Sequence, residues 1–229
     1  MTTCVLHIAS DCVSEAQIRT LLKKLPTSER DRADGMGWAG RRAEFVLGRA
    51  LLRTGFGDFH ADGWNWQIDK AEHGKPVLAP DQFDGLHFSL AHTEGFIGCA
   101  FSTDGLVGLD VEQLSRASTI DRVKAKVFAP SEVEALASLS AHEKQTRLLG
   151  LWTGKEAVTK ALGEGLTYDF RKLKLGFESG EVQVLSDHDL TSWRLEQRVF
   201  HTEFFTALAV ENPAEVEWKP LEIGDLLTA

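Results

Sequence analysis

Apolar side chains first fall at helical spacing at Ile18, Leu21, Leu22 and Leu25, just after Ser14 and Gln17, which stand three apart as in a capping box. Pro26 closes that segment, and a second helical pattern runs over 38–53 with Arg42, Arg49 and Arg53 close to one stripe. The period then changes. Residues 64–68 alternate as a strand, and Glu72-His73-Gly74-Lys75-Pro76 reads as a turn. The apolar runs 86–90 and 96–101 flank Thr93-Glu94-Gly95 as the arms of a hairpin, and 106–111 is a further strand. Pro130 and Ser131 open a helix with Glu134 at the capping-box position; Ser140 and Glu143 open a longer one ending near Gly163. Beyond Lys172, strands are expected at 173–177, 182–185, 193–198 and 204–210.

Helices followed by strands occur twice, each series ending in an apolar strand, 96–101 and 205–210. The fold expected from this rhyme is α+β, a pseudo-dimer of two similar α/β lobes, 1–105 and 106–229, with the active site in the cleft between them. Composition fits a globular chain: 229 residues, 43% apolar and 26% charged, which excludes wholesale disorder, collagen and coiled coil. No apolar run approaches the roughly 20 residues of a membrane span, so no membrane partner is expected. Cys4, Cys12 and Cys99 have no zinc-ligand spacing and cannot all pair, which suits a reducing cytoplasm.

Charge alters the picture through its placement. The chain carries a net −9, yet residues 19–53 hold nine basic and four acidic side chains, a local +5. A cationic island in an acidic protein suits a discrete anionic ligand, or a solvated helix face, better than a nucleic acid.

Val107-Gly108-Leu109-Asp110-Val111-Glu112 carries the sharpest chemistry. On a strand, Asp110 and Glu112 share one face, while Val107, Leu109 and Val111 face a core. Two such carboxylates repel unless a cation lies between them, and hard oxygen donors suit Mg²⁺; an exposed edge with two solvated acids is the alternative. In Trp152-Thr153-Gly154-Lys155-Glu156-Ala157-Val158-Thr159-Lys160, Glu156 and Lys160 are helical i,i+4 neighbours, the spacing of a common surface ion pair. His92 ends an apolar strand, a place where histidine is more often structural than catalytic. No nucleophile elbow, Walker loop or dinucleotide-binding glycine pattern is present.

The combination is more specific than its parts. A Gly-x-Asp-x-Glu strand, with a Trp-Thr-x-Lys-Glu-Ala-x-x-Lys helix some forty residues later, resembles the 4′-phosphopantetheinyl transferases. Gly74-Lys75-Pro76, the strand ending in His92 and the Gly48–Arg53 helix also stand where that family has them. The resemblance runs from about residue 29 to 166 and is closest to the larger, two-lobed surfactin-synthetase-activator-like class.

That resemblance implies a transferase moving the 4′-phosphopantetheine arm of coenzyme A to a serine of an apo acyl or peptidyl carrier protein. Asp110, Glu112 and Glu156 would hold one Mg²⁺, with Mn²⁺ a substitute. Coenzyme A contacts would come from Arg32, Lys70, His73, Gly74, Lys75, Ser89, Ala91, His92 and Lys160. Glu156, Lys160 and His92 would be the catalytic group. Ala91 stands where the family more usually has serine, and Gly154 where it often has a larger side chain. One chain supplies both lobes, so a monomer suffices. Residues 114–128, with Arg116, Arg122, Lys124 and Lys126 beside Ile120, Val123, Val127 and Phe128, form a candidate docking surface for an acidic carrier. A non-catalytic coenzyme A sensor and a Mg²⁺-dependent phosphohydrolase are the rival readings.

Overall fold

The structure, a computed structural model, describes every residue except 1, 2, 12, 72, 73, 80, 81, 83, 84, 166, 167, 179, 180, 187–189, 191, 213 and 214, with backbone alone for 177, 178 and 181–186. The chain opens with strand β1 (Thr3–Ala9), then helices α1 (Glu15–Lys24), α2 (Thr27–Asp34) and α3 (Ala39–Phe59). A short hairpin, β2 (Ile68–Lys70) and β3 (Pro76–Leu78), leads to β4 (His87–Thr93), β5 (Phe96–Ser102) and β6 (Val107–Gln113). Three helices follow: α4 (Ala117–Val127), α5 (Pro130–Ala137) and α6 (Ala141–Leu162). The rest is β7 (Leu173–Glu178), β8 (Glu181–Ser186), β9 (Trp193–Phe200), β10 (Phe204–Glu211), β11 (Val216–Pro220) and α7 (Ile223–Thr228).

Two larger sheets carry the architecture, ordered β11-β1-β5-β4 and β6-β10-β9. The two-residue period of their strands sorts side chains into three apolar layers. On β5, Ile97, Cys99 and Phe101 pack with Leu21, Leu47, Leu51 and Phe56 of the overlying helices. The opposite face sends Phe96 and Ala100 into a layer shared with Val107, Leu109, Val111, Leu208 and Val210 from the second sheet. Ala207 and Ala209 of β10 face Leu148, Leu149, Ala157 and Val158 instead. The fold is α+β, with helices outside and two sheets pressed together inside.

Several expectations change. The strand predicted at 64–68 is a 3₁₀ turn at Gly63–Asn65 followed by β2. The carbonyls of Trp64 and Trp66 accept from the buried Arg53 guanidinium rather than from a neighbouring strand. Helix α5 is capped by Glu132, whose Oε2 accepts from Ala129 N at 2.7 Å, with Pro130 at its first position; Glu134 has no such role. The stretch 106–229 does not stay in one lobe. Strand β11 pairs in parallel with β1, from Thr3 opposite Val216 to His7 opposite Pro220, covering an edge that would otherwise be bare. Helix α7 then sets Leu226 into the first core, and Lys24 Nζ donates to the carbonyls of Leu227 and Ala229. No helix among the described residues is long and apolar enough to cross a membrane.

Candidate active site

Strand β6 lies beneath helix α6, and the closeness of that contact depends on Gly108. A Cβ there would lie 1.9 Å from the Ala157 carbonyl oxygen and 2.7 Å from Ala161 N. Both are backbone atoms that cannot rotate aside. With no side chain at 108, the helix sits down on the strand and carries Glu156 and Lys160 over Asp110.

Lys160 does not pair with Glu156 as the i,i+4 spacing suggests. Its ammonium lies 2.7 Å from Asp110 Oδ1 and donates to the Leu109 carbonyl at 3.1 Å. Asp110 is 7% exposed, and its second oxygen, Oδ2, is buried with no hydrogen-bond partner. Glu112 accepts from Trp152 Nε1 at 3.0 Å and meets Arg116 Nε at 3.3 Å. Trp152, the first residue of the helical motif, thus fixes a carboxylate. Its indole N–H was the one signal for that role. The carboxyl of Glu156 makes no hydrogen bond among the described residues and is pushed up to about 7, by burial first and then by the Asp110 charge. Burial and Asp110 also raise Glu112. The acids therefore lie close enough together to raise Glu112 and Glu156, with Lys160 on Asp110 and Arg116 on Glu112 as the cations beside them.

Lys155, the neighbour of Glu156, has a different task that sequence reasoning did not find. It is fully buried, 2.7 Å from Glu132 Oε2, and donates to the carbonyls of Phe170 and Leu173. Glu132 Oε1 in turn accepts from Leu175 N at 2.8 Å. This knot fastens α5 and β7 to α6 and so fixes the helix that presents Glu156. At Gly154 an added Cβ would meet Leu175 Cδ1 at 2.8 Å and Leu195 Cδ2 at 2.9 Å. Those two leucines fill the room that a larger family side chain would need.

Two clefts adjoin this centre and share Gly74, Pro76 and Leu90 as walls. The smaller, about 210 Å³, gathers Lys75, Ser89 and Lys160. Lys75 Nζ donates to the Ala161 carbonyl at 2.8 Å, and burial brings its ammonium down to about 8. The hydroxyl of Ser89 accepts from Leu109 N at 3.0 Å, bridging the facing edges of the two sheets. The larger cleft, about 410 Å³, is lined by Arg32, Arg41, Arg49, Lys70 and His92, with Glu44 the one acid among its described lining residues. His92 belongs to this cationic cleft rather than to the three acids.

Ala91 joins neither cleft. It alternates with His92 along β4, so its methyl lies in the apolar layer between the sheets and offers no side chain to either cleft. His73 lies outside the described residues. The proposed docking surface also changes. Ile120 and Phe128 are buried in the second core, Arg116 is on Glu112, and Lys124 pairs with Asp121 at 2.8 Å. Arg122 and Lys126 are the basic side chains of that segment that stay exposed and without a partner among the described residues.

Residues 106–209, from the start of β6 into β10, match the 4′-phosphopantetheinyl transferase superfamily. Over 209 residues the chain is 30% identical to the 4′-phosphopantetheinyl transferase HetI of Nostoc sp., covering 90% of this chain and 85% of that protein. The chain belongs to the 4′-phosphopantetheinyl transferase family. A second relative, the L-aminoadipate-semialdehyde dehydrogenase-phosphopantetheinyl transferase of Mus musculus, is 23% identical over 220 residues, 87% of this chain and 71% of its own. Among solved structures, the holo-[acyl-carrier-protein] synthase of Thermotoga maritima superposes on 48% of this chain and 64% of its own, with a TM-score of 0.41 and 21% identity. As a 4′-phosphopantetheinyl transferase the chain is an enzyme, and its Gly-x-Asp-x-Glu strand and Lys-Glu-Ala helix are the pair of elements locked together at Gly108.

Proposed function

We propose that this transferase moves the 4′-phosphopantetheine arm of coenzyme A to a serine hydroxyl of an apo acyl or peptidyl carrier protein, with Mg²⁺, releasing 3′,5′-adenosine bisphosphate. The observation that carries this reading is the crowding of Asp110, Glu112 and Glu156 next to two cationic clefts. Among the described residues no three His, Cys, Asp or Glu side chains form a ready metal cage, and Lys160 takes up one oxygen of Asp110. The donor set nonetheless fits a hard cation. Asp110 Oδ2 is buried and unpartnered, and burial and then the Asp110 charge raise Glu112 and Glu156 even with Lys160 and Arg116 beside the cluster, as for carboxylates with too little counter-charge. When bound there, Mg²⁺ would neutralise pyrophosphate charge.

The chain's own residues do the rest. Arg32, Lys70 and His92 hold coenzyme A through its phosphates in the larger cleft, and Lys75 does so in the smaller. Lys160 lies at the junction of acids and cleft, where it offsets charge building on the departing phosphate. Glu156 takes the proton of the attacking serine, which must approach a multiply charged group. The buried Lys155–Glu132 pair keeps α6 still while this happens. The chain acts as a monomer, and a reducing cytoplasm accords with the free thiols of Cys4 and Cys99.

The test is a mass measurement on an apo carrier protein incubated with the enzyme, coenzyme A and Mg²⁺. Addition of one phosphopantetheine to the carrier serine is expected, and none when that serine is alanine. Phosphate release without carrier modification would replace this reading with a phosphohydrolase.

A further inference from the structure

Two guanidiniums in the first lobe share one carboxylate, and only one of them is satisfied by it. Glu29 of α2 is buried against Arg49 and Arg53, one turn apart on α3. Arg53, 1% exposed, takes Glu29 Oε2 with Nε at 3.0 Å and Nη2 at 2.9 Å, and spends Nη1 on the carbonyls of Trp64 and Trp66. Arg49, 7% exposed, comes no nearer to the other oxygen than 3.5 Å, at Nε. Its Nη1 is buried and has no hydrogen-bond partner.

That unpartnered donor belongs to a side chain lining the larger cleft. The Arg49 guanidinium lies 5.2 Å from the centre of the Phe45 ring, and Arg32 stacks on the same ring at 5.0 Å. Burial depresses the Arg49 guanidinium, and Arg32 and Arg53 add repulsion that Glu29 opposes. Glu29 is thus one anion among three guanidiniums. Packing alone does not account for the arrangement, since Arg53 by itself gives Glu29 its partner. An arriving anion with several acceptor oxygens would satisfy Nη1 and relieve the repulsion together.

We propose that Arg49 is a further phosphate-binding residue of the larger cleft, aimed by Glu29, and that it takes the 3′-phosphate monoester of coenzyme A. This rests on the reading of that cleft as the coenzyme A cleft. The choice of phosphate follows from layout. The smaller cleft contains Lys160, which is bonded to Asp110, so the reacting pyrophosphate belongs there. A ligand crossing the shared wall at Gly74, Pro76 and Leu90 brings its far phosphate to Arg49. Glu29 is a positioning residue; Arg49 touches the ligand.

Calorimetric titration of the full chain with coenzyme A and with dephospho-coenzyme A, which lacks only the 3′-phosphate, tests this. Wild type should bind coenzyme A more tightly than the dephospho form. Arg49→Gln should weaken coenzyme A by about ten- to a hundredfold and leave dephospho-coenzyme A unchanged, so that the preference disappears. Arg49→Lys, a point charge without the fork, should keep part of the preference; it carries the comparison if Arg49→Gln does not fold. Equal weakening of both ligands, or an undiminished preference in Arg49→Lys as well as Arg49→Gln, overturns the assignment and leaves the coenzyme A reading standing. A wild type that binds neither ligand overturns both.

Discussion

Replacing Gly108 with alanine adds one methyl at the point where the two signature elements touch. The new Cβ would begin 1.9 Å from the Ala157 carbonyl oxygen, 2.7 Å from Ala161 N and 2.9 Å from the Ala157 carbonyl carbon. Restoring ordinary contact near 3.4 Å requires α6 to rise from β6 by about 1.5 Å, because every clashing atom is backbone. The 2.7 Å contact between Lys160 and Asp110 would then stretch past salt-bridge range, and Glu156 would leave the other two acids. Overpacking of this kind costs about 1–3 kcal/mol, a fall in melting temperature of roughly 3–10 °C for a chain of this size. Activity should suffer far more than stability, since misplacing reacting groups by about 1 Å costs on the order of a hundredfold in rate. Steady-state transfer to an apo carrier, read with thermal melts and coenzyme A titration, separates the two effects. The expected result is kcat down about a hundredfold or more, a modest loss of stability, and a smaller loss of coenzyme A affinity, because Lys160 and the Ala161 carbonyl that holds Lys75 move with α6 while the larger cleft stays in place. Gly154→Ala is the control on the same helix. Its methyl clashes with the tips of Leu175 and Leu195, which can move, and touches Gln197 Nε2 at an ordinary 3.6 Å. Transfer by Gly108→Ala at the Gly154→Ala rate would refute the argument that this glycine sets the site.

Asp110→Asn and Glu156→Gln should each lower transfer by at least about a hundredfold while leaving the melting temperature near wild type or higher, since each removes charge from a crowded cluster; near-normal transfer by either would undo the metal assignment. Lys155→Met strands the buried Glu132 carboxylate and should cost about 3–5 kcal/mol, seen as a melting temperature roughly 10 °C lower. His7, stacked near Phe96 and Phe200, is held by burial at about 4 against an ordinary 6.5. The unfolded chain therefore takes up a proton that the folded chain refuses, and stability should decline as pH falls from about 6.5 to 4, by about 3 kcal/mol at most. Urea titrations across that range should show a shallower decline in His7→Asn; parallel curves would show that His7 is not the group responsible.

Local periodicity decided a good part of this protein. The two-residue period of β6 is enough to set Asp110 and Glu112 on one face and Val107, Leu109 and Val111 on the other, and the apolar layers bear that sorting out. Capping boxes at Ser14 and Ser140 start α1 and α6 where the sequence marks them. What depended on distant parts of the chain was not written locally. Lys160 pairs with Asp110, fifty positions away, rather than with its helical neighbour Glu156, because the missing side chain at Gly108 lets α6 settle onto the strand. Ala91 looks like a site residue by position, yet strand alternation against a second sheet turns it into the core. Val216–Pro220 returns to the first lobe because β1 has an open edge, a need that no nearby residue records. The sequence by itself determined which residues could be acidic, basic or apolar neighbours along each element. Only the tertiary structure decided which carboxylate meets which cation, since burial makes those pairings strong and chain separation makes them illegible from spacing.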